Sequence, residues 1–232
     1  MPEHLDLRYG TAERERIDFF AASRRDAPTL VFIDGGYWQS RAKKTFGFVA
    51  EGPLAQGVSV ATIGYTLAPA ARRDAIVAQC RTAVHFLHRR LNQVGGDPRR
   101  LFVSGWSAGG HLTAMLMGDA VVTGGIAISG IYDLAPIRLS YLNDKLRLDP
   151  EEALRNSPLF HLPQRAGRLI LAVGGDELPE LRRQSETYAA AWQARNLAGK
   201  LMVLPGRHHY SVLEELARPA SMLAEALARL VG

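Results

Sequence analysis

Leu101-Phe-Val103 runs without a break into Ser104-Gly-Trp-Ser-Ala-Gly-Gly110. An apolar run met at once by small residues and a serine predicts a strand that turns sharply into a helix over about 108–117. From Gly105 to Gly109 the pattern is G-x-S-x-G. The spacing has a mechanical reason. Small residues let the strand and helix backbones pass closely, and the turn lifts the Ser107 hydroxyl above the edge of a sheet.

A buried strand so short needs a sheet around it, and the rest of the chain supplies one. Thr29-Leu-Val-Phe-Ile33 reads as a buried strand closed by Asp34-Gly35-Gly36, and Val58 to Tyr65 as another. Ile76, Val77, Cys80, Val84, Leu87 and Leu91 recur at helical spacing, so 72–93 reads as a helix stopped by Gly95-Gly96-Asp97-Pro98. Residues 125–129, 168–173 and 200–204 read as further strands, with helices over 180–197 and 211–230. Strands alternating with amphipathic helices predict a mostly parallel α/β sheet with helices on both faces. Right-handed crossovers then gather the strand carboxyl ends on one edge, where ligands bind in such sheets. Residues 131–167 show no clear period and contain Pro136, Pro150, Pro158 and Pro163. They are expected to form a short lid and to complete the pocket. The 232 residues, 47% hydrophobic and 22% charged, suit a single domain spanning 1–232.

Cys80 has no partner in the chain, which excludes an intrachain disulfide and suits a reducing compartment. The first residues lack the apolar core of a signal peptide, and no run approaches the ~20 apolar residues of a membrane span. A cytoplasmic location is therefore expected. The net charge of +5 raises the question of nucleic acid. The basic residues are mostly scattered pairs. The one denser cluster, Arg41 to Lys44, has no interleaved aromatic stacking residues. The charge therefore reads as a solvated cationic surface with some local attraction for anionic substrates.

A serine hydroxyl is a weak nucleophile and needs a base, which in turn needs an orienting acid. In a sheet with this elbow the chain order is serine, acid, histidine. Of the seven histidines, only His208 and His209 stand in a loop directly after the last strand with a helix behind them. The base is one of this pair. The acid belongs just beyond the strand ending at Val173, where Asp176 and Glu177 are adjacent and spacing does not separate them. Asp133, after the preceding strand, is a third candidate.

The developing oxyanion needs two donors. One is the amide of Ala108, which follows the nucleophile. The other comes from the loop after 29–33, where Gly35 and Gly36 let the backbone approach a substrate oxygen. Asp34 beside them reads as a turn residue accepting local backbone hydrogen bonds, its carboxylate turned away from the oxyanion. Recognition of a cationic substrate group is its other reading. Tyr37, Trp38 and Trp106 flank these loops as pocket wall or as core.

The ordered segments 34–39 (Asp-Gly-Gly-Tyr-Trp-Gln), 105–112 (Gly-Trp-Ser-Ala-Gly-Gly-His-Leu), 129–134 (Ser-Gly-Ile-Tyr-Asp-Leu), 156–158 (Asn-Ser-Pro), 177–185 and 208–213 (His-His-Tyr-Ser-Val-Leu) together resemble the kynurenine formamidase (arylformamidase) branch of the α/β-hydrolases, which also contains small esterases. The likeness runs from about Tyr9 to Leu216. It implies an α/β-hydrolase fold, His209 as base because Tyr210 follows it, and Glu177 as acid because it stands two residues before Pro179-Glu180. It departs at Asp34, where that family normally has histidine. The implied activity is cleavage of a small carboxylic ester or aryl formamide through an acyl-enzyme. No cofactor is called for, and no metal, because the histidines do not cluster with carboxylates or the cysteine. The competing readings are a non-catalytic ligand-binding protein of the same fold and a basic nucleic-acid-binding protein. No membrane or nucleic-acid partner is expected, and a homodimer is left open.

Overall fold

The computed structural model describes residues 3–232. Eight strands form one sheet: β1 Glu3–Arg8, β2 Arg16–Phe20, β3 Ala27–Ile33, β4 Ser59–Ile63, β5 Gly96–Trp106, β6 Gly124–Ile128, β7 Arg168–Gly174 and β8 Gly199–Leu204. Their spatial order is β1-β2-β4-β3-β5-β6-β7-β8. From β4 to β8 every pairing is parallel, whereas β1 and β2 join antiparallel at the β4 edge.

The central strands are continuous apolar runs because both of their faces are covered. Every residue of β3, β4 and β6 is buried. The helices are α1 Glu51–Ala55, α2 Arg73–His88, α3 Ala108–Leu116, α4 Ala135–Arg138, α5 Asn143–Leu146, α6 Pro150–Arg155, α7 Pro179–Ala194, α8 Ser211–Ala217 and α9 Met222–Val231. On one face Val31, Ile33 and Val103 pack with Ile76 and Val84 of α2, Leu112 of α3 and Tyr188 and Trp192 of α7. On the other, Leu30, Phe32 and Ile126 pack with Phe46, with Val212 and Leu216 of α8 and with Leu223 and Leu227 of α9. Each such buried side chain contributes roughly 1.5–3 kcal/mol.

Three expectations change. Two strands precede Thr29; in β2 only Ile17 and Phe19 alternate with polar neighbours, too short a pattern to stand out. The helix expected over 211–230 is two helices, because Pro219 lacks the N–H needed to continue α8, and Ser221 Oγ restarts the chain by accepting the Ala224 amide at 3.0 Å. Residues 131–167 fold into α4, α5, α6 and a 3₁₀ turn, Pro158–Phe160.

That segment is fastened to α2 and α7. Gln184 of α7 accepts from the amides of Tyr132 and Asp133, both at 2.7 Å. Glu152, fully buried, accepts the Arg73 amide at 2.8 Å and the Arg72 guanidinium at 2.7 Å, tying α6 to the start of α2. Leu134, Leu146, Leu148 and Ala153 face the core.

Candidate active site

The elbow is set by backbone sterics. Ser107 sits at φ 57° and ψ −116°, a conformation that costs on the order of 1–3 kcal/mol and persists only where its surroundings enforce it. Its amide donates to the Ile128 carbonyl at 2.8 Å, and its carbonyl accepts from the His111 amide at 3.0 Å. Close passage of α3 against β3 requires glycine: a Cβ on Gly109 would lie 1.9 Å from the Ile33 carbonyl oxygen. The first turn of α3 is therefore pressed on the sheet, and Ser107 is lifted to its carboxyl edge.

A cavity of about 480 Å³ opens there, within the size range of small-molecule sites. Its lining comes from three loops, the elbow and Leu181 of α7. The loop after β3 brings Gly36, Tyr37, Ser40 and Arg41, and the elbow brings Trp106 and Ser107. The loop after β7 brings Asp176, Glu177 and Leu178, and the loop after β8 brings His208, His209 and Tyr210. Nothing from 131–167 lines it, so that segment does not complete the pocket as expected: Leu134, Leu146, Leu148 and Ala153 are spent in the core, Glu152 and the Tyr132 and Asp133 amides are tied to α2 and α7, and Lys145 reaches the loop after β3 only to donate to the Gln39 carbonyl at 3.1 Å.

The structure separates the adjacent candidates left by the sequence. His209 Nδ1 lies 2.8 Å from Glu177 Oε2. The other oxygen, Glu177 Oε1, accepts from the Gly174 amide at 2.8 Å and from the Ser129 hydroxyl at 2.5 Å. Asp176 is exposed; its amide donates to the Arg207 carbonyl at 3.0 Å and its carboxylate makes no hydrogen bond to the ring. Asp133 accepts the Ala135 amide at 2.9 Å and so is occupied at the start of α4. His208 points elsewhere too, its Nδ1 accepting from the Tyr210 and Ser211 amides, both at 3.3 Å, at the start of α8. Ser129 was legible only as part of a motif; no pattern in the chain marked it as a donor to the acid.

Trp106 braces the histidine from the nucleophile side. Its indole N–H donates to the His209 carbonyl at 2.7 Å, and the two rings lie 4.8 Å apart. Ser107 Oγ faces the cavity and makes no hydrogen bond among the described residues. In free enzymes this bond is often long and closes when substrate arrives.

On the β3 side, Gly36 adopts φ +109°, a region that disfavours side chains, and its carbonyl accepts from the Gln39 and Ser40 amides. No turn, loop or side-chain hydrogen bond among the described residues engages the amides of Gly35, Gly36 or Ala108. Tyr37 and Trp106 are cavity wall. Trp38 is not: it is fully buried and packs edge-on to His111 at 4.9 Å. Burial also pushes His111 down to about 4, with its Nε2 against the Asn156 carbonyl at 2.7 Å, so it stands as a neutral core imidazole.

Asp34 departs from its expected role as a turn residue. It is buried, does not line the cavity, and neither carboxylate oxygen has a hydrogen-bond partner. Burial raises its carboxyl to about 7, with Arg14 and Arg41 pulling the other way. Its backbone carbonyl accepts from the Tyr65 hydroxyl at 3.0 Å. Its place also removes it from contact with a cationic substrate.

Among the described residues no group of three or more His, Cys, Asp or Glu could hold a metal ion, and no helix is long and apolar enough to cross a membrane.

The chain is similar to several known proteins. The model of the prolyl oligopeptidase family matches residues 72–228, and a model described as BD-FAE matches 17–122. A kynurenine formamidase from Danio rerio is 32% identical over 243 residues, covering 98% of this chain and 82% of the relative. A candidate thioesterase from a Silicibacter species superposes with a TM-score of 0.85 at 28% identity, over 99% of this chain and 85% of that one. An esterase from Pyrobaculum calidifontis superposes with a TM-score of 0.82 at 20% identity, over 94% and 82% of the two chains, and shares the fold.

Proposed function

From membership of the α/β-hydrolases, in the family of the kynurenine formamidases, we propose that Ser107, His209 and Glu177 form the catalytic triad of this serine hydrolase, which acts on small esters or aryl formamides. The single observation that carries the assignment is the 2.8 Å contact between His209 Nδ1 and a buried Glu177, in the same cavity as Ser107.

In this reading His209 Nε2 takes the proton from Ser107 Oγ as the oxygen attacks the acyl or formyl carbon. Glu177 fixes the imidazole tautomer by accepting from Nδ1–H and stabilises the imidazolium that forms. The amides of Gly36 and Ala108, assisted by Gly35, hold the oxyanion; each such donor is typically worth about 10²–10³ in turnover. The imidazolium then gives its proton to the departing alcohol or aryl amine. Water, activated by the same ring, releases the acid and restores Ser107. No step needs a metal or cofactor.

The same reading places a small-molecule hydrolase of one domain in the cytoplasm. Its substrate class is tested by hydrolysis of 4-nitrophenyl acetate beside N-formylkynurenine. Turnover of either, abolished in Ser107→Ala, supports the reading. Turnover that survives that substitution, with contamination excluded, contradicts it.

A further inference from the structure

Within the cluster Arg41 to Lys44, Lys43 is consumed by structure: its ammonium pairs with Asp6 at 3.0 Å and with Asp18. Arg41 is different. Its guanidinium forms no ion pair among the described residues, although it lines the cavity that holds Ser107 and His209. The backbone beneath it is held. Arg41 sits at φ 74°, and its carbonyl accepts from the Arg14 guanidinium at 2.6 Å, while Arg14 Nε donates to the Tyr65 carbonyl at 2.9 Å.

Two aromatic rings flank the guanidinium. Its central carbon is 5.7 Å from the Trp106 ring centroid and 6.0 Å from that of Tyr210. No hydrogen bond or ion pair among the described residues engages its N–H donors, which leaves them free for a planar two-oxygen acceptor. Trp106 and Tyr210 are also the residues packed on His209, at ring separations of 4.8 and 5.6 Å. The general acid protonates the leaving group, so the leaving group lies on the His209 side. Arg41 is therefore placed beside the departing fragment.

We infer that Arg41 is a specificity-determining residue that selects substrates whose aryl leaving group carries a carboxylate. This deepens the proposed hydrolase reading and rests on it. Two carboxylates also line the cavity, Glu177 engaged with His209 and Asp176 exposed in the loop after β7, and they set a limit on how strong the preference becomes.

The test compares 4-acetoxybenzoate with the neutral, similarly shaped 4-acetoxybenzamide. The reading is the ratio of their kcat/KM values, so a loss common to both substrates cancels. The ratio is expected to fall about tenfold in Arg41→Gln, the effect of one partly exposed charge-assisted hydrogen bond, and less in Arg41→Lys. The change should appear in KM, and in the wild type the ratio should fall as NaCl is raised. A ratio that moves less than twofold in both variants and ignores salt overturns the role of Arg41 while leaving the hydrolase reading intact. If Arg41→Gln does not fold, Arg41→Lys and the wild-type salt series decide. Turnover of neither aryl acetate, together with no reaction of Ser107 with a fluorophosphonate, contradicts the hydrolase reading itself and this inference with it.

Discussion

The two walls that flank Ser107 treat their carboxylates in opposite ways. On the β7–β8 side, both oxygens of Glu177 are engaged, by His209, by Ser129 and by the Gly174 amide. On the β3 side, Asp34 is equally buried and neither of its oxygens has a partner. A satisfied buried acceptor holds one geometry firmly, which suits a group that must orient a histidine ring. A buried acid without partners disfavours its charged form, which is why Asp34 titrates near 7 rather than near its ordinary 3.8. One wall is organised by hydrogen bonds. The other is organised by glycine backbone, with a latent stability cost beneath it.

The largest effect tests whether the two walls share one nucleophile. Ser107→Ala is expected to lower turnover of 4-nitrophenyl acetate by about six orders of magnitude. Next comes the satisfied wall. Glu177→Gln keeps the shape but leaves the imidazole in the wrong tautomer, and is expected to lower kcat by about 10⁴. The adjacent Asp176→Asn should stay within about threefold, because that carboxylate does not reach the ring. Equal losses in both variants would dissolve the contrast between them. Ser129→Ala removes one donor from Glu177 and is expected to lower kcat about tenfold, with KM little changed.

The smallest effect belongs to the unsatisfied wall and is read in stability. In the folded state Asp34 keeps its proton up to about pH 7, whereas in the unfolded chain it loses it near the ordinary value of 3.8. The folded state thus binds more protons between these values, and stability falls as pH rises through the window. The full effect is on the order of a few kcal/mol. Asp34→Asn has no such titration. The difference in Tm between variant and wild type should therefore grow from pH 4 to pH 7 and level off above it. A difference that stays constant across that range would show that Asp34 titrates normally.

What the chain revealed, and what it concealed, follows the same division. The elbow was legible because an apolar strand, four small residues around Ser107 (Gly105, Ala108, Gly109 and Gly110) and a helical period follow one another over 101–117. β3 and β7 were legible as unbroken apolar runs, the mark of strands covered on both faces. β1 and β2 were not, since these short antiparallel strands at one end of the sheet carry polar residues between apolar ones and look like loop. The choice between Asp176 and Glu177 lay in tertiary structure. The Asp176 amide is bonded to Arg207, and its side chain stays in solvent while the next residue turns inward. Residue likeness to a family pointed to Glu177; local spacing did not. Trp38 was undecidable because a large aromatic beside a catalytic loop fits wall or core equally well, and only the position of His111 beneath it settles the matter. The unpartnered state of Asp34 had no signature in the chain, because a missing hydrogen bond is a property of the space around a group.

The central claim is that Ser107 is the activated nucleophile of a triad completed by His209 and Glu177. Labelling with a fluorophosphonate, followed by mass mapping of the modified peptide, tests it most directly. The account predicts one label per chain on Ser107, none in Ser107→Ala, a rate sharply reduced in Glu177→Gln and a rate preserved in Asp176→Asn. Labelling at another residue, or undiminished labelling in Glu177→Gln, would contradict it.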